Sequence, residues 1–310
     1  MKKRTLFTGM VVVMLLLAMV TGCTQNGGNT GKSPDKEPVG AAYPMTVVDD
    51  AGRSVEIAAA PQRIVSLMPS LTETLYALGL EDRVVGVTDF CDYPAEALTK
   101  EKVGNLFNLS MEKILELEPD LVLAAESATL QDALTLLAEN GITVVVINPL
   151  NLDAIEESIR QVGKITGVPE KGVEVAALVR AEREALAARV GTVAEADRPN
   201  VLILLDTDAI YTLGDGVFLS DMVTAAGGVN AAADKGEGYF QLSEEALFAL
   251  DPDIIICTFP MSDQVLAKAT WQELQAVKNG RVFDVNGDLV SRSGPRIILG
   301  LEELYAVFFK

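Results

Sequence analysis

The sequence has no histidine in its 310 residues. A serine–histidine–aspartate triad, a histidine-ligated zinc site and an imidazole acid–base step are therefore excluded, and these are among the commonest chemistries of hydrolases and metalloenzymes. Aromatic residues are also scarce, at 5% of the chain with a single tryptophan. The few aromatic side chains that fall in loops are for that reason candidates for a binding surface.

Positive charge is in deficit, because 25 lysine and arginine residues stand against 44 aspartate and glutamate residues. The formal net charge of −19 repels phosphate backbones and anionic lipid headgroups, so no nucleic-acid partner is expected. Hydrophobic residues make up 49% of the chain. Together with the length, this content suffices for two domain-sized cores and argues against disorder.

The first 22 residues have the features of a secretory signal. Three basic residues within the first four positions precede an uncharged stretch at residues 6–20, which is too short for a comfortable bilayer span. The segment ending at Cys23 resembles a bacterial lipobox, in which cleavage leaves the cysteine to carry a lipid; the alternative is an ordinary signal with a cysteine at its boundary. Residues 23–43 predict a flexible tether, so the membrane would be reached only through the lipid on Cys23.

Residues 44–168 predict an α/β lobe. A hairpin is expected at residues 45–49 and 54–57, and Ser70 with Glu73 is expected to form a capping box that opens the first helix. Further strands are predicted at 63–67, 83–88, 120–125 and 143–148, alternating with helices at 70–78, 110–117, 130–140 and 152–166. Their continuous Val, Ile and Leu runs indicate a parallel sheet covered on both faces.

A long helix is predicted at the midpoint of the chain, within residues 169–192. Val173, Ala177, Val179 and Leu186 alternate with charged residues, which predicts a narrow buried face. Such a helix suits a bridge between two lobes. The alternative is a surface helix of one large domain.

The alternation of strands and helices resumes over residues 199–310, which predicts a second α/β lobe. A hairpin is expected around Gly214-Asp215-Gly216. Strands are predicted at 200–205, 253–259 and 281–285, and helices at 219–226, 243–250, 264–278 and 297–308.

An internal repeat connects the two lobes. Residues 108–124 align without gaps on residues 241–257, and six of the seventeen positions are identical. In both copies a serine precedes a short helix, a proline ends it, and an aspartate leads into an apolar strand. The two lobes therefore share one supersecondary unit.

The repeat places one glutamate in the first turn of each short helix, Glu112 and Glu245. The helix dipole favours a carboxylate there, so a purely local explanation exists. Glu116 follows Glu112 at i+4, however, and this like-charge pair slightly weakens the helix. An external basic partner would relieve that repulsion.

The lipobox, the two lobes, the midpoint helix and the repeat together resemble the substrate-binding lipoproteins of ABC importers for cobalamin, ferric siderophores and haem. The resemblance runs from about residue 60 to the end. Its motifs are Pro61-Gln62-Arg63-Ile64-Val65-Ser66-Leu67, Asp92-Tyr93-Pro94, Met111-Glu112-Lys113-Ile114, Pro119-Asp120 and Ser291-Arg292-Ser293-Gly294-Pro295-Arg296. It implies a class III periplasmic binding protein, with two Rossmann-like α/β lobes joined by a single long backbone helix.

In that family one surface glutamate of each lobe docks onto arginines of the permease, and the matching residues are Glu112 and Glu245. The ligand lies between the lobes at the carboxyl ends of the strands, where aromatic residues would stack on it and Arg292 would meet an acidic group. The aromatic candidates implied are Phe90, Tyr93, Phe107, Tyr239, Phe240 and Phe259. Each could instead be an ordinary loop-packing residue.

A corrinoid is the first expectation for the ligand, and a ferric siderophore is the second. Residues 92–94 and 236–245 resemble the cobalamin branch of the family, although Leu106 and Ala125 stand where cobalamin binders place tryptophan. The ligand would itself be the metal chelate. No resident cofactor, no metal site of the protein and no oligomer are expected.

Several alternatives remain open. Haem ligated by histidine is excluded, but a tyrosine phenolate could ligate iron, and the candidates are Tyr93, Tyr211 and Tyr239. An extracellular enzyme would use the loop carboxylates Asp89, Asp92 and Glu126. A lipoprotein that senses or adheres would lack the paired docking glutamates or carry them buried. Cys91 and Cys257 are either a long-range disulfide or two free thiols.

Overall fold

The computed structural model describes residues 42–310. The predicted signal at residues 1–22, the predicted lipidation site Cys23 and nearly all of the predicted tether lie outside the described residues. Within residues 42–310, no helix has both the length and the apolar character that a bilayer span requires.

The amino-terminal lobe is built around a five-stranded parallel sheet. The strands of this lobe, inside and outside that sheet, are β1 (Met45–Val48), β2 (Ser54–Ile57), β3 (Ile64–Ser66), β4 (Val84–Val87), β5 (Glu101–Lys102), β6 (Gly104–Asn105), β7 (Asn108–Leu109), β8 (Leu121–Ala124) and β9 (Thr143–Val146). The sheet order is β5-β4-β3-β8-β9, and β1 pairs with β2 as the predicted antiparallel hairpin. The strands β5, β6 and β7 are not predicted, because two residues are too few to show a period.

The helices of this half are α1 (Pro69–Ala77), α2 (Met111–Glu116), α3 (Gln131–Glu139), α4 (Leu152–Ile165) and α5 (Pro169–Val190). The predicted capping box at the start of α1 is wrong. Pro69 occupies the first turn, and Met68 precedes it without a side-chain cap. Ser70 and Glu73 are instead buried against the rest of the protein.

The helices α4 and α5 pack closely against each other. A Cβ atom on Gly163 would lie 2.8 Å from the Cα atom of Gly172, so only glycine permits this approach. Further along, the buried Glu156 carboxylate accepts hydrogen bonds from Arg180 at 2.7 Å and from Arg183 at 2.8 Å. The long helix that the sequence predicts is α5, and it therefore forms a closely packed pair with α4.

The buried face of α5 differs from the prediction. Val179 and Leu186 are buried as expected, but Val173 and Ala177 are exposed. The other buried residues are Gly172, Val175, Ala176 and Val190. Because α5 contacts both α4 and α11, its buried face follows two partners rather than a single apolar stripe.

The carboxy-terminal lobe contains a separate four-stranded parallel sheet. The strands of this lobe, inside and outside that sheet, are β10 (Asn200–Leu204), β11 (Tyr211–Leu213), β12 (Val229–Asn230), β13 (Tyr239–Gln241), β14 (Ile254–Cys257) and β15 (Val282–Asp284). Its helices are α6 (Phe218–Ala225), α7 (Glu244–Leu250), α8 (Ser262–Ala267), α9 (Gln275–Lys278), α10 (Gly287–Ser291) and α11 (Ile297–Phe308). The sheet order is β12-β10-β14-β15.

Two local predictions in this lobe are wrong. The expected hairpin around residues 214–216 does not form, because β11 pairs with β13 and Val217 precedes α6. The expected helix at 264–278 is broken into α8, a 3₁₀ turn at Ala269–Trp271, and α9. Trp271 is fully buried in this turn, and its indole nitrogen donates a 2.9 Å hydrogen bond to Glu244. Burial of this large side chain outweighs the helical pattern.

The internal repeat is confirmed as a structural unit. Ser110 and Ser243 each accept a hydrogen bond from a backbone amide in the first turn of α2 and α7. Each helix is followed by an acidic residue in the left-handed region, at Glu118 and Asp251. The next aspartate of each copy then binds a backbone amide that leads into the neighbouring strand.

The buried hydrophobic residues within residues 42–310 form three clusters. One cluster lies only in the amino-terminal lobe, and a second lies only in the carboxy-terminal lobe. The third is continuous from Val47 to Phe308 and includes residues of α1, α4, α5, α6 and α11. The two lobes are therefore joined by shared apolar packing as well as by a helix.

Candidate functional site

A cavity of about 570 Å³ lies at the carboxyl ends of the strands in the carboxy-terminal lobe. It is formed by the segments that follow β10, β14 and β15 and by the start of α6. Its lining residues are Leu205, Phe218, Leu219, Tyr239, Thr258, Phe259, Pro260, Val285, Asn286, Gly287, Asp288, Val290 and Ser291. This position is where parallel α/β sheets generally bind ligands.

Two of the aromatic candidates line this cavity. Tyr239 lies on β13, Phe259 follows β14, and both side chains are exposed. The sequence prediction missed a third aromatic residue, Phe218, because it assigned that position to a hairpin. It also missed Asn286-Gly287-Asp288 after β15, where Asn286 caps α10; this turn-forming triplet was the signal available in the sequence.

The other aromatic candidates lie elsewhere. Phe240, next to Tyr239 on β13, packs against the core of the carboxy-terminal lobe and covers Gly236. Successive strand residues point to opposite faces, so Tyr239 and Phe240 cannot both face the cavity. Phe107 is 84% exposed between β6 and β7, and Phe90 is exposed in the loop after β4. Asn105 ties the β6–β7 hairpin to that loop through Asp89.

Arg292 lies between the two lobes and forms ion pairs with three carboxylates. Its guanidinium donates to Glu73 at 3.0 Å and to Asp92 at 2.7 Å in the amino-terminal lobe, and it pairs with Asp288 at 2.8 Å. Burial opposes ionisation of Arg292, but the hydrogen bonds to Asp92 and Glu73 outweigh it and raise the arginine pKa. Its charge is therefore neutralised within the protein by Glu73, Asp92 and Asp288.

Tyr93 belongs to the same ionic cluster. The Arg296 guanidinium stacks on the Tyr93 ring at 3.6 Å and also binds Glu73. Tyr93 lines a separate cavity of about 470 Å³ with Tyr76 and Pro295. The structure thus places Tyr93 at the contact between the lobes, and Tyr93 is not among the residues that line the aromatic cavity.

Of the three tyrosines considered for iron ligation, Tyr239 lines the aromatic cavity. Partial desolvation at the cavity wall raises the pKa of the Tyr239 phenol, and the nearby Tyr211 adds to that effect. The phenolate form that binds iron is disfavoured as a result. Among residues 42–310, no group of three or more Cys, Asp and Glu side chains is arranged to hold a metal ion.

Glu112 and Glu245 occupy equivalent exposed positions in the first turns of α2 and α7. Hydrogen bonds from its own backbone amide and from the Ser243 hydroxyl lower the pKa of Glu245, so this carboxylate stays ionised well below neutral pH. The buried Cys91 and Cys257 are both free thiols, so the two are not joined by a disulfide.

The periplasmic binding protein family matches residues 64–289. The chain belongs to that family. This periplasmic binding protein is 39% identical to the uncharacterized ABC transporter substrate-binding lipoprotein YvrC of Bacillus subtilis (strain 168), over 98% of this chain and 96% of that protein. Because the family consists of substrate-binding proteins, the hypothesis of a carboxylate-based enzyme is wrong.

Solved structures agree with this assignment. The periplasmic vitamin B12 binding protein BtuF of Vibrio cholerae is similar with a TM-score of 0.70 and 31% identity, over 80% of this chain and 97% of that one. The periplasmic heme-binding protein RhuT from Roseiflexus sp. RS-1 is similar with a TM-score of 0.73 and 30% identity, over 80% of this chain and 98% of that one. The binding protein therefore has the class III fold that its sequence predicts.

Proposed function

We propose that this protein is an extracytoplasmic substrate-binding lipoprotein that captures a corrinoid between its lobes and delivers it to an ABC importer. The observation that supports this ligand class is the cavity of the carboxy-terminal lobe. Three aromatic residues line that cavity, and within residues 42–310 no lining residue supplies a free positive charge. Phe218, Tyr239 and Phe259 offer apolar and stacking surface. None of the described residues that line this cavity is basic, and the adjacent Arg292 is held by three carboxylates.

These surroundings favour a large ligand whose edge is uncharged. A corrinoid is a flat macrocycle with neutral carboxamide groups around its edge. Asn286 and Ser291 can form hydrogen bonds with such carboxamides. Haem and carboxylate siderophores carry anionic groups, for which the described residues that line this cavity offer no basic partner. Similarity to vitamin B12-binding proteins of Vibrio cholerae also supports a corrinoid. The metal arrives inside the ligand, so the protein itself needs no cofactor.

The cellular arrangement follows from the same class of protein. The similarity to a substrate-binding lipoprotein supports a lipid on Cys23, which would hold the protein at the outer face of the membrane as a monomer. The exposed Glu112 and Glu245 would contact basic residues of the permease, one through each lobe. Their exposure also disfavours a lipoprotein that only senses or adheres.

Calorimetric titration of the mature protein with cyanocobalamin, hemin, ferrichrome and ferric citrate tests this proposal. We expect submicromolar binding of cyanocobalamin and much weaker binding of the others. Similarity to the heme-binding protein RhuT favours haem as the second candidate. Tight binding of hemin or of a ferric chelate without corrinoid binding would overturn the corrinoid proposal and assign that ligand instead.

A further inference from the structure

The repeat places an exposed apolar side chain at the same position in each lobe. Leu115 of α2 aligns with Phe248 of α7, and the two side chains are 39% and 38% exposed. The preceding residues, Ile114 and Leu247, are fully buried in both copies. The two helices therefore have the same orientation on their lobes, and the exposed apolar position repeats with them.

Each of these apolar side chains lies beside a carboxylate. Leu115 is three residues after Glu112, and Phe248 is three residues after Glu245. Residues at i and i+3 share one face of a helix, so each lobe presents an acidic and an apolar group side by side. The intervening position next to each glutamate does not repeat, since the exposed Lys113 aligns with the half-buried Ala246.

We propose that Leu115 and Phe248 are apolar anchors that insert into the ABC permease beside the basic groups that receive Glu112 and Glu245. This inference rests on the proposed function and extends it from a pair of charges to a pair of two-part contacts. The permease would present two similar seats, each with a cation next to an apolar pocket.

Charge favours the permease over a second copy of the chain or a lipid surface as the partner of these groups. A second copy of the chain would bring glutamate against glutamate, and the net charge of −19 would add to the repulsion. An anionic lipid surface would be repelled for the same reason. The complementary surface is a protein surface with two sites, each of which combines a positive charge with an apolar pocket. One site would receive Glu112 and Leu115, and the other would receive Glu245 and Phe248.

The two parts of each contact act on different rate constants. Charges at the edge of an interface mainly accelerate association, whereas apolar anchors in desolvated pockets mainly slow dissociation. Leu115→Ser with Phe248→Ser is therefore expected to raise the dissociation rate while association changes little. Glu112→Gln with Glu245→Gln is expected to slow association and to weaken its dependence on salt.

The experiment measures binding kinetics of the full mature protein on its cognate ABC importer, reconstituted in lipid nanodiscs. We expect the Leu115→Ser, Phe248→Ser variant to dissociate at least about tenfold faster than the wild type. The matched control is Leu136→Ser with Leu178→Ser, two exposed leucines on α3 and α5 outside the repeat, which should behave as wild type. Cyanocobalamin affinity should be the same in all variants.

Unchanged dissociation of the Leu115→Ser, Phe248→Ser variant would overturn the anchors while the importer role stands. Absence of wild-type binding to the importer would overturn the proposed function itself. Equal acceleration by the control pair would show a general effect of surface polarity and would also overturn the anchors.

Discussion

The Arg296 guanidinium donates two parallel hydrogen bonds to the Glu73 carboxylate, from Nε to Oε2 at 2.8 Å and from Nη2 to Oε1 at 2.5 Å. Glu73 belongs to the amino-terminal lobe and Arg296 to the carboxy-terminal lobe. Arg292 adds a third bond to the same carboxylate, whose side chain is only 2% exposed. One buried glutamate thus joins the lobes through two arginines.

Removal of Glu73 is expected to be strongly destabilising. In Glu73→Ala, two guanidinium groups would lose their buried partner, which typically costs about 3–5 kcal/mol of the free energy of unfolding. Denaturant unfolding followed by circular dichroism measures this loss. The control is Glu174→Ala, whose ion pair with Lys171 is exposed and should contribute less than about 1 kcal/mol. Similar losses for both variants would contradict the role of the buried cluster.

The contact between the lobes should weaken in acid. The hydrogen bond from Arg292 holds the pKa of Asp92 below its ordinary value of 3.8, with burial opposing this effect. A depressed pKa contributes stability that is complete above the ordinary value and is lost as the pH falls through the folded-state value. The Asp92→Asn variant should lose this contribution. Its unfolding free energy should therefore fall less steeply than that of the wild type below about pH 4.

The aromatic wall of the cavity should dominate ligand affinity. Tyr239→Ala and Phe259→Ala each remove stacking surface, and each is expected to weaken cyanocobalamin binding by about tenfold or more. Isothermal titration calorimetry measures the change. Phe248→Ala provides the control, because this exposed aromatic residue lies on α7 and not in the cavity. Equal affinity of the cavity variants and the control would place the ligand elsewhere.

Charge reversal should separate docking from ligand capture. Glu112→Arg or Glu245→Arg would bring like charges together at the permease, so ligand-stimulated ATPase activity of the importer is expected to fall by about tenfold or more. Cyanocobalamin affinity should not change, since both residues are exposed on helices outside the cavity. Loss of ligand affinity would contradict the docking role.

Ligand binding should close the protein only modestly. The apolar cluster that spans both lobes and the Glu73 ion pairs resist separation of the lobes, so large hinge motion is disfavoured. Small-angle scattering should give the same radius of gyration with and without cyanocobalamin, within experimental error. A decrease of the size expected for hinge-bending domain closure would contradict this prediction.

Sequence patterns located most long elements because their signals are local. Ser110 and Ser243 marked the starts of two helices, and continuous apolar runs predicted β8 and β14. Patterns failed where distant contacts decide the outcome. Glu73 fits a capping box as well as it fits a buried ion pair, and only the presence of Arg296 across the lobe contact distinguishes the two.

The sequence alone determined the α/β class, the repeat and the equivalence of Glu112 with Glu245, because periodicity, capping and repetition are properties of neighbouring residues. Only the tertiary structure decided that Tyr239 faces the cavity while Phe240 packs in the core, and that Arg292 is neutralised by three carboxylates. These outcomes depend on which strand face is covered and which charges meet across the lobes, and both are fixed by contacts between residues far apart in the chain.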